Sequence, residues 1–478
     1  MSYQKFTKDV GIIGLTEIII ALKGLIVLPI ITKLVGVENY GIWAQLIVTL
    51  SLITPIATLG LPYTLVRFLA AEKNRKEIQD GIWSVFTIIF VISSLICLAL
   101  YLFSDTISQF FGGEKILVQI LAFTIIFECL NLVFFNVFRA FQQMGKYSSF
   151  MIFQTIGEIG LITGAIIFNY GLFGAILSLL IVRFINFLIM GILIVKMIGI
   201  KIPKFLKIKE YLSFSLPTIP LNVSSWIVHS SDRYLIGFFL GTLFVGYYVP
   251  AYTIGNSITF FIIPLSFVLP AILSQFYDGN ETAKVKIYLE YSLKYFLMIS
   301  IPSVFGLSIL SKELLSIFST PEISAQSYFI IPLVAVSVLL YGIRAIISQI
   351  IILKKKTKII GIIWMGAAFL NFGLNFILIP RFGIFGAAIT TFIAYAFALI
   401  VTWYYSFKEL QFKIDWKLIS KSIFASTLIT LFIFRIEPVG LSKIIFVIII
   451  SIILYGILMF LFKGLRKKEI IFFAKLAK

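Results

Sequence analysis

Apolar runs of roughly 20 residues recur along the chain, parted by short gaps that hold most of the charge. About 20 apolar residues in a helix cross a bilayer core of ~30 Å, so each run predicts one crossing. Splitting the runs at charges and turn residues predicts fourteen helices. They cover 10–35, 40–66, 81–103, 115–138, 147–168, 172–195, 211–240, 246–273, 287–310, 326–353, 359–379, 383–407, 418–434 and 441–462. No gap is long enough for a soluble domain. The expected fold class is all-α, a polytopic membrane protein with fourteen transmembrane helices.

Composition strengthens this reading. Hydrophobic residues make up 60% of the 478 and charged residues 13%, where a soluble domain carries about a quarter charged. Disorder, a disulfide scaffold and a soluble enzyme are excluded. Formal net charge is +19, from 40 Lys+Arg against 21 Asp+Glu. The placing of that charge argues for topology and against a nucleic-acid partner. With the N-terminus in the cytoplasm, 29 Lys/Arg fall in inside segments, six in outside segments and five within helices. Lysine and arginine mark the cytoplasmic side, and one missed helix would invert the pattern downstream. The expected location is the cytoplasmic membrane, multi-pass, with both termini inside and membrane lipids as neighbours. Cys97 and Cys129, the two cysteines, sit in apolar runs as packing residues.

The chain carries an internal echo. Tyr170-Gly171-Leu172-Phe173-Gly174-Ala175 opens the sixth crossing and Phe382-Gly383-Ile384-Phe385-Gly386-Ala387 the twelfth. Tyr40-Gly41-Ile42-Trp43 and Val245-Gly246-Tyr247-Tyr248 open the second and eighth. The nearly equal offsets predict two parallel six-helix halves, residues 1–200 and 201–410. Residues 411–478 add two accessory crossings and a basic cytoplasmic tail. Repeats of this kind build secondary transporters, with the site between the halves.

Charges inside the apolar runs are the candidate chemistry, because each costs a few kcal/mol at the bilayer centre and needs a partner or a wet cavity. The first half holds Glu17, Lys23, Glu128, Glu158 and Arg183; the second holds Asp232, Arg233, Lys294 and Arg344. At about 1.5 Å per residue, Lys23 lies roughly 20 Å from the inner end of its helix, and Glu158, Arg183 and Arg344 fall at similar depth. A shared aqueous cavity is one reading; ion pairs that fix packing, such as Glu158 with Arg183, are the other. Arginine suits phosphate through bidentate bonding. The carboxylates Glu17, Glu128, Glu158 and Asp232 are candidates for coupling to Na⁺ or protons. The sequence holds no metal-ligand spacing, phosphate loop or ATP motif. No catalytic residue, metal or cofactor is expected, and the chain is expected not to be an enzyme.

Asp232-Arg233-Tyr234-Leu235-Ile236-Gly237-Phe238-Phe239-Leu240-Gly241, with Val245-Gly246-Tyr247-Tyr248 and Ala251-Tyr252, resembles the seventh and eighth helices of Wzx-type polysaccharide flippases. These belong to the multidrug/oligosaccharidyl-lipid/polysaccharide exporter superfamily. The resemblance covers essentially the whole chain. It implies two six-helix bundles around a central cavity, alternating access, and transport of polyprenyl-phosphate- or pyrophosphate-linked oligosaccharides for polysaccharide biosynthesis. It also implies a cationic headgroup site, carried by position to Lys23, Arg183, Arg233 and Arg344, with Arg67 and Arg139 at the cytoplasmic mouth. A monomer is expected, with a polysaccharide polymerase and glycosyltransferases as candidate partners. An ion-coupled multidrug antiporter and a lipid II flippase are the alternatives.

Overall fold

A computed structural model describes the backbone of residues 3–70, 72 and 74–464, and side chains from Gly11 onward. Lys73, Arg466, Lys467, Lys468, Lys475 and Lys478, counted above as inside charge, lie outside the described residues, as do the side chains of Lys5 and Lys8. Every regular element among the described residues is helical. The first stretch runs α1 (Tyr3–Leu34), α2 (Val37–Ala57), α3 (Leu61–Leu69), α4 (Arg75–Leu102), α5 (Ser104–Phe111), α6 (Lys115–Ala140), α7 (Met144–Ile167), α8 (Gly171–Ile198), α9 (Ile208–Ser215), α10 (Thr218–Leu240) and α11 (Thr242–Gly255). A 3₁₀ segment, Asn256–Phe261, leads to α12 (Ile263–Asp278), α13 (Thr282–Ile309), α14 (Ser311–Phe318), α15 (Pro321–Ser327), α16 (Ile330–Ile347), α17 (Gln349–Leu353), α18 (Thr357–Glu409), α19 (Trp416–Ile436) and α20 (Leu441–Leu461).

Twelve helical spans among the described residues are long and apolar enough to cross a membrane. The fourteen expected from sequence differ from these at two places. The helix α10, expected as the seventh crossing, carries Asp232 and Arg233 and is not among the twelve. The eleventh and twelfth expected crossings fall within α18, 53 residues that comprise two helices joined across a kink at Gly383. At 1.5 Å per residue, α18 would run about 80 Å if straight, far beyond a ~30 Å core. It turns at Gly383, whose φ of 62° and ψ of −144° are not helical. Glycine, lacking Cβ, takes that conformation without strain.

The expected eighth crossing is also broken. Pro264 has no N–H to continue the ladder, and the turn before it tightens to the 3₁₀ segment between α11 and α12. Apolar side chains stay exposed on many helices, among them Leu95, Ile156, Phe369 and Ile452. A bilayer covers such faces, while the helical backbone satisfies its own hydrogen bonds.

The chain divides into two compact units, Met1–Val249 with Trp364–Thr390, and Pro250–Ile363 with Thr391–Lys478. In the first unit α6 packs against α4 and α8, α7 against α1 and α8, and α2 against α10. In the second, α13 packs against α16 and α19, and α19 against α20. Leu310, Ile429, Ile433, Ile444 and Val447 form one of its buried clusters.

The echoed motifs occupy matching local structures in the first unit. Gly171 opens α8 with φ 55°, as Gly383 turns α18 with φ 62°. A Cβ on Gly41 would stand 2.2 Å from the Thr242 carbonyl oxygen, and one on Gly246 would stand 2.2 Å from the Val37 carbonyl oxygen. The contact is reciprocal, because 37 and 41 match 242 and 246 at one offset.

The basic segment between α8 and α9 is fastened to the start of α4. The Asp80 carboxylate, buried, accepts from the backbone N–H groups of Lys204 and Leu206. Trp83 Nε1 donates to the Gly199 carbonyl at 2.9 Å. The amine of Lys207 bonds Glu77 at 2.5 Å and Glu72 at 3.3 Å, and these bonds hold its pKa above the ordinary lysine value. Burial pushes the Tyr211 phenol up; its ring stacks on Phe68 at 5.1 Å.

Candidate functional site

Four of the intramembrane charges predicted from sequence meet in one cluster. Glu158 of α7 is fully buried and stands between two cations. Lys23 of α1 donates to Glu158 Oε2. Arg183 Nε of α8 donates to Glu158 Oε1 at 2.9 Å and lies 3.2 Å from Glu128 Oε2 of α6. Gln154 and Asn186 extend the network, through Gln154 Nε2 to Glu158 Oε1 and Asn186 Nδ2 to Gln154 Oε1. Asn131 Nδ2 donates to the Arg183 carbonyl. Two cations and two carboxylates balance in charge and tie α1, α6, α7 and α8 together. The Glu158–Arg183 ion pair considered from sequence is therefore present.

Asp232 and Arg233 make a second centre. Arg233 Nη1 donates to Asp232 Oδ1 at 2.7 Å and also to the His229 carbonyl, one helical turn earlier. Tyr248 of α11 donates its hydroxyl to Asp232 Oδ2 at 2.6 Å. Beside Asp232 in sequence, Ser231 reaches Asn371 Oδ1 at 3.4 Å. Asn375 Nδ2 donates to the same oxygen at 3.2 Å, and Thr390 donates to Asn375 Oδ1 at 2.5 Å. Asn371 and Asn375, one turn apart on α18, were not foreseen as site residues. Their four-residue spacing in an apolar run was the available signal.

Arg139 closes α6. Its Nη1 donates to Asn136 Oδ1 at 3.2 Å, its guanidinium stands 6.0 Å from the Tyr147 ring, and it lies within electrostatic range of Glu17. Arg67 is exposed on the last turn of α3. Arg344 belongs to the second unit. It is buried on α16, 6.0 Å from the Tyr341 ring, which lies 5.5 Å from that of Tyr395. Cys97 and Cys129 are buried free thiols. Among the described residues no group of three or more His, Cys, Asp and Glu could hold a metal.

A cavity of about 390 Å³ opens between α2, α3, α6 and α10 in the first unit. Its wall includes Ser51, Thr54, Tyr63, Asn136, Asn222, Trp226 and His229. Trp226 Nε1 donates to Ser51 Oγ at 2.9 Å. None of these wall residues was a predicted site residue. Single neutral polar residues in apolar runs give no sequence signal that separates lining from packing.

The helical architecture, buried intramembrane charges and internal cavity describe a membrane transporter. The family model described as "Polysaccharide biosynthesis protein" matches residues 6–276, and that described as "MatE" matches 217–377. The chain is 25% identical over 368 residues to the "Probable low-salt glycan biosynthesis flippase Agl15" of Haloferax volcanii, covering 75% of this chain and 77% of that one. It is 27% identical over 369 residues to the "Probable lipid II flippase MurJ" of Aquifex aeolicus, covering 72% and 71%. Among solved structures, "Lipid II flippase MurJ, inward closed conformation" superposes with a TM-score of 0.75 at 19% identity, covering 99% of this chain and all of that one. The chain belongs to the polysaccharide biosynthesis protein family, within the multidrug/oligosaccharidyl-lipid/polysaccharide exporter superfamily. It is a multi-pass membrane protein of flippase type and not an enzyme.

Proposed function

We propose that the chain moves oligosaccharide repeat units linked to polyprenyl phosphate or pyrophosphate across the cytoplasmic membrane. The carrying observation is two arginines, Arg233 and Arg344, each under a tenth exposed and each within a helix that the sequence pattern predicts to cross the membrane. Cations retained there at such cost suit an anionic headgroup, and guanidinium binds phosphate oxygens in pairs. The lipid tail stays in the bilayer while the headgroup crosses by alternating access between the two six-helix repeats. The reciprocal contact of Gly41 and Gly246 supports the repeat reading, and the glycan flippase Agl15 among the relatives supports the substrate class.

Asp232 is the favoured coupling group. Arg233 and Tyr248 already share its carboxylate. A proton or cation on Asp232 would compete with that pairing and release Arg233 toward phosphate. The oxygens of Ser231, Asn371, Asn375 and Thr390 near it in the chain or through hydrogen bonds are donors of the kind hard cations take. Lys23, Arg183, Glu128 and Glu158 hold one another and position the helices, with Arg139 and Arg67 at the cytoplasmic mouth.

The test uses a host that lacks its own repeat-unit flippase. Expression of this chain restores surface polysaccharide, and Arg233→Gln or Arg344→Gln abolishes it at unchanged protein level. Normal polysaccharide from both variants overturns the reading. Lipid II transport is the second reading, supported by the likeness to the Aquifex protein. Rescue of a strain depleted of its lipid II flippase would favour it.

A further inference from the structure

The geometry points to the cavity beside Trp226 as a carbohydrate subsite, taking the sugar next to the phosphate of a lipid-linked substrate. This rests on the headgroup reading above and extends it from the phosphate to the glycan. About 390 Å³ lies within the range of small-ligand pockets. It holds roughly one to two pyranose rings. The wall offers neither a phosphate nor a drug cation a side chain of opposite charge. Among the described residues, no lysine, arginine, aspartate or glutamate lines it. It presents amides at Asn136 and Asn222, hydroxyls at Ser51, Thr54, Thr58 and Ser225, and aromatic surface at Trp226 and Tyr63.

A pyranose is complementary to that set. Its hydroxyls donate and accept, as amides and hydroxyls do. Its C–H face is apolar and covers an indole ring. Trp226 is held for this role: its Nε1 is anchored on Ser51 at 2.9 Å, and its ring lies 5.8 Å from that of Tyr234. Ser51, Thr54, Thr58 and Asn136 each donate to a carbonyl of their own helix, and a hydroxyl that donates in this way keeps lone-pair capacity to accept from a sugar hydroxyl.

The cations stand one hydrogen bond behind this wall, at two points. Arg233 bonds the carbonyl of His229, and Arg139 bonds the amide oxygen of Asn136. His229 and Asn136 both line the cavity. A sugar seated on Trp226 therefore has one guanidinium about two helical turns away along α10, roughly 10 Å, and a second one turn beyond Asn136 along α6. That is the order of groups in a glycosyl phosphate: neutral ring, then anion.

Native mass spectrometry of the purified full chain would test the assignment. The probes are undecaprenyl pyrophosphate, bare or carrying one hexose, N-acetylhexosamine, deoxyhexose or uronate. At least one sugar is expected to raise affinity about tenfold over the bare lipid, the scale of an aromatic face and a hydrogen bond or two. Trp226→Ala and Asn222→Leu should each remove that gain and leave binding of the bare lipid unchanged. Trp226→Phe should restore most of it, which shows that the loss is of the ring and not of the fold. Equal binding of the bare and all sugar-bearing lipids by the unmodified chain overturns the subsite. So does a sugar gain that survives both Trp226→Ala and Asn222→Leu. Failure of every lipid, bare or glycosylated, to bind overturns the headgroup reading itself.

Discussion

At the scale of the residue, Glu158 has two possible duties, and they predict opposite results. It is fully buried between Lys23 and Arg183. Breaking a buried pair leaves an uncompensated charge and costs about 3–5 kcal/mol. Glu158→Gln should therefore lower the thermal midpoint of the detergent-solubilised protein sharply, and Lys23→Met should do so less, because the Lys23 side chain keeps 27% exposure. Transport lost at an unchanged midpoint would instead assign Glu158 to ion coupling. This cluster was largely legible in the sequence, because charges in apolar runs are rare and helix rise sets their depth. That Asp232 is shared by Arg233 and Tyr248 was not, since the link between α10 and α11 depends on how the helices turn toward each other. The cavity beside Trp226 was least legible. Asn222, Ser225 and Asn136 cost less to bury than a charge, so their presence in a helix says little until neighbours are known.

At the scale of the element, glycines that look alike in sequence do different work. Gly41 and Gly246 let α2 and α11 meet backbone to backbone, each Cβ position 2.2 Å from a carbonyl oxygen of the other helix. A backbone atom cannot swing aside as a side chain can. Gly41→Ala or Gly246→Ala must part the helices, and overpacking of this kind costs about 1–3 kcal/mol. Gly160 of α7 has nothing within 4 Å of its Cβ position. There alanine should be harmless or stabilise the helix by about 0.5–1 kcal/mol. Thermal midpoints of the three variants, measured side by side, should thus fall, fall and hold or rise. A uniform fall would remove the distinction. Sequence periodicity located these helices, and the echoed motif marked the two glycines, but only the fold pairs them with each other. The two breaks divide differently: the turn at Gly383 was expected between the eleventh and twelfth crossings, whereas the tightened backbone before Pro264, inside the expected eighth, was not.

At the scale of the whole molecule, the basic loops and the helix inventory make one joint prediction about sidedness. The two points at issue are whether α10 crosses despite Asp232 and Arg233, and whether α18 crosses twice with its corner at Gly383. Single cysteines in a background without Cys97 and Cys129 can answer both. Ile202 and Val439 are exposed in loops, at 86% and 74%. Leu243 follows α10, Asn280 follows α12, and Phe382 stands at the α18 corner beside Gly383. If both helices behave as expected, a membrane-impermeant maleimide added to intact cells labels cysteines at 243, 382 and 439. Those at 202 and 280 react only after the cells are opened. If α10 does not cross, 243 joins 202 on the protected side and the later positions invert together. If α18 crosses once, 382 becomes unreactive from either side and 439 changes side. Each failure has its own pattern because an uncounted crossing shifts every loop after it, the same property that makes the uneven spread of lysine and arginine informative.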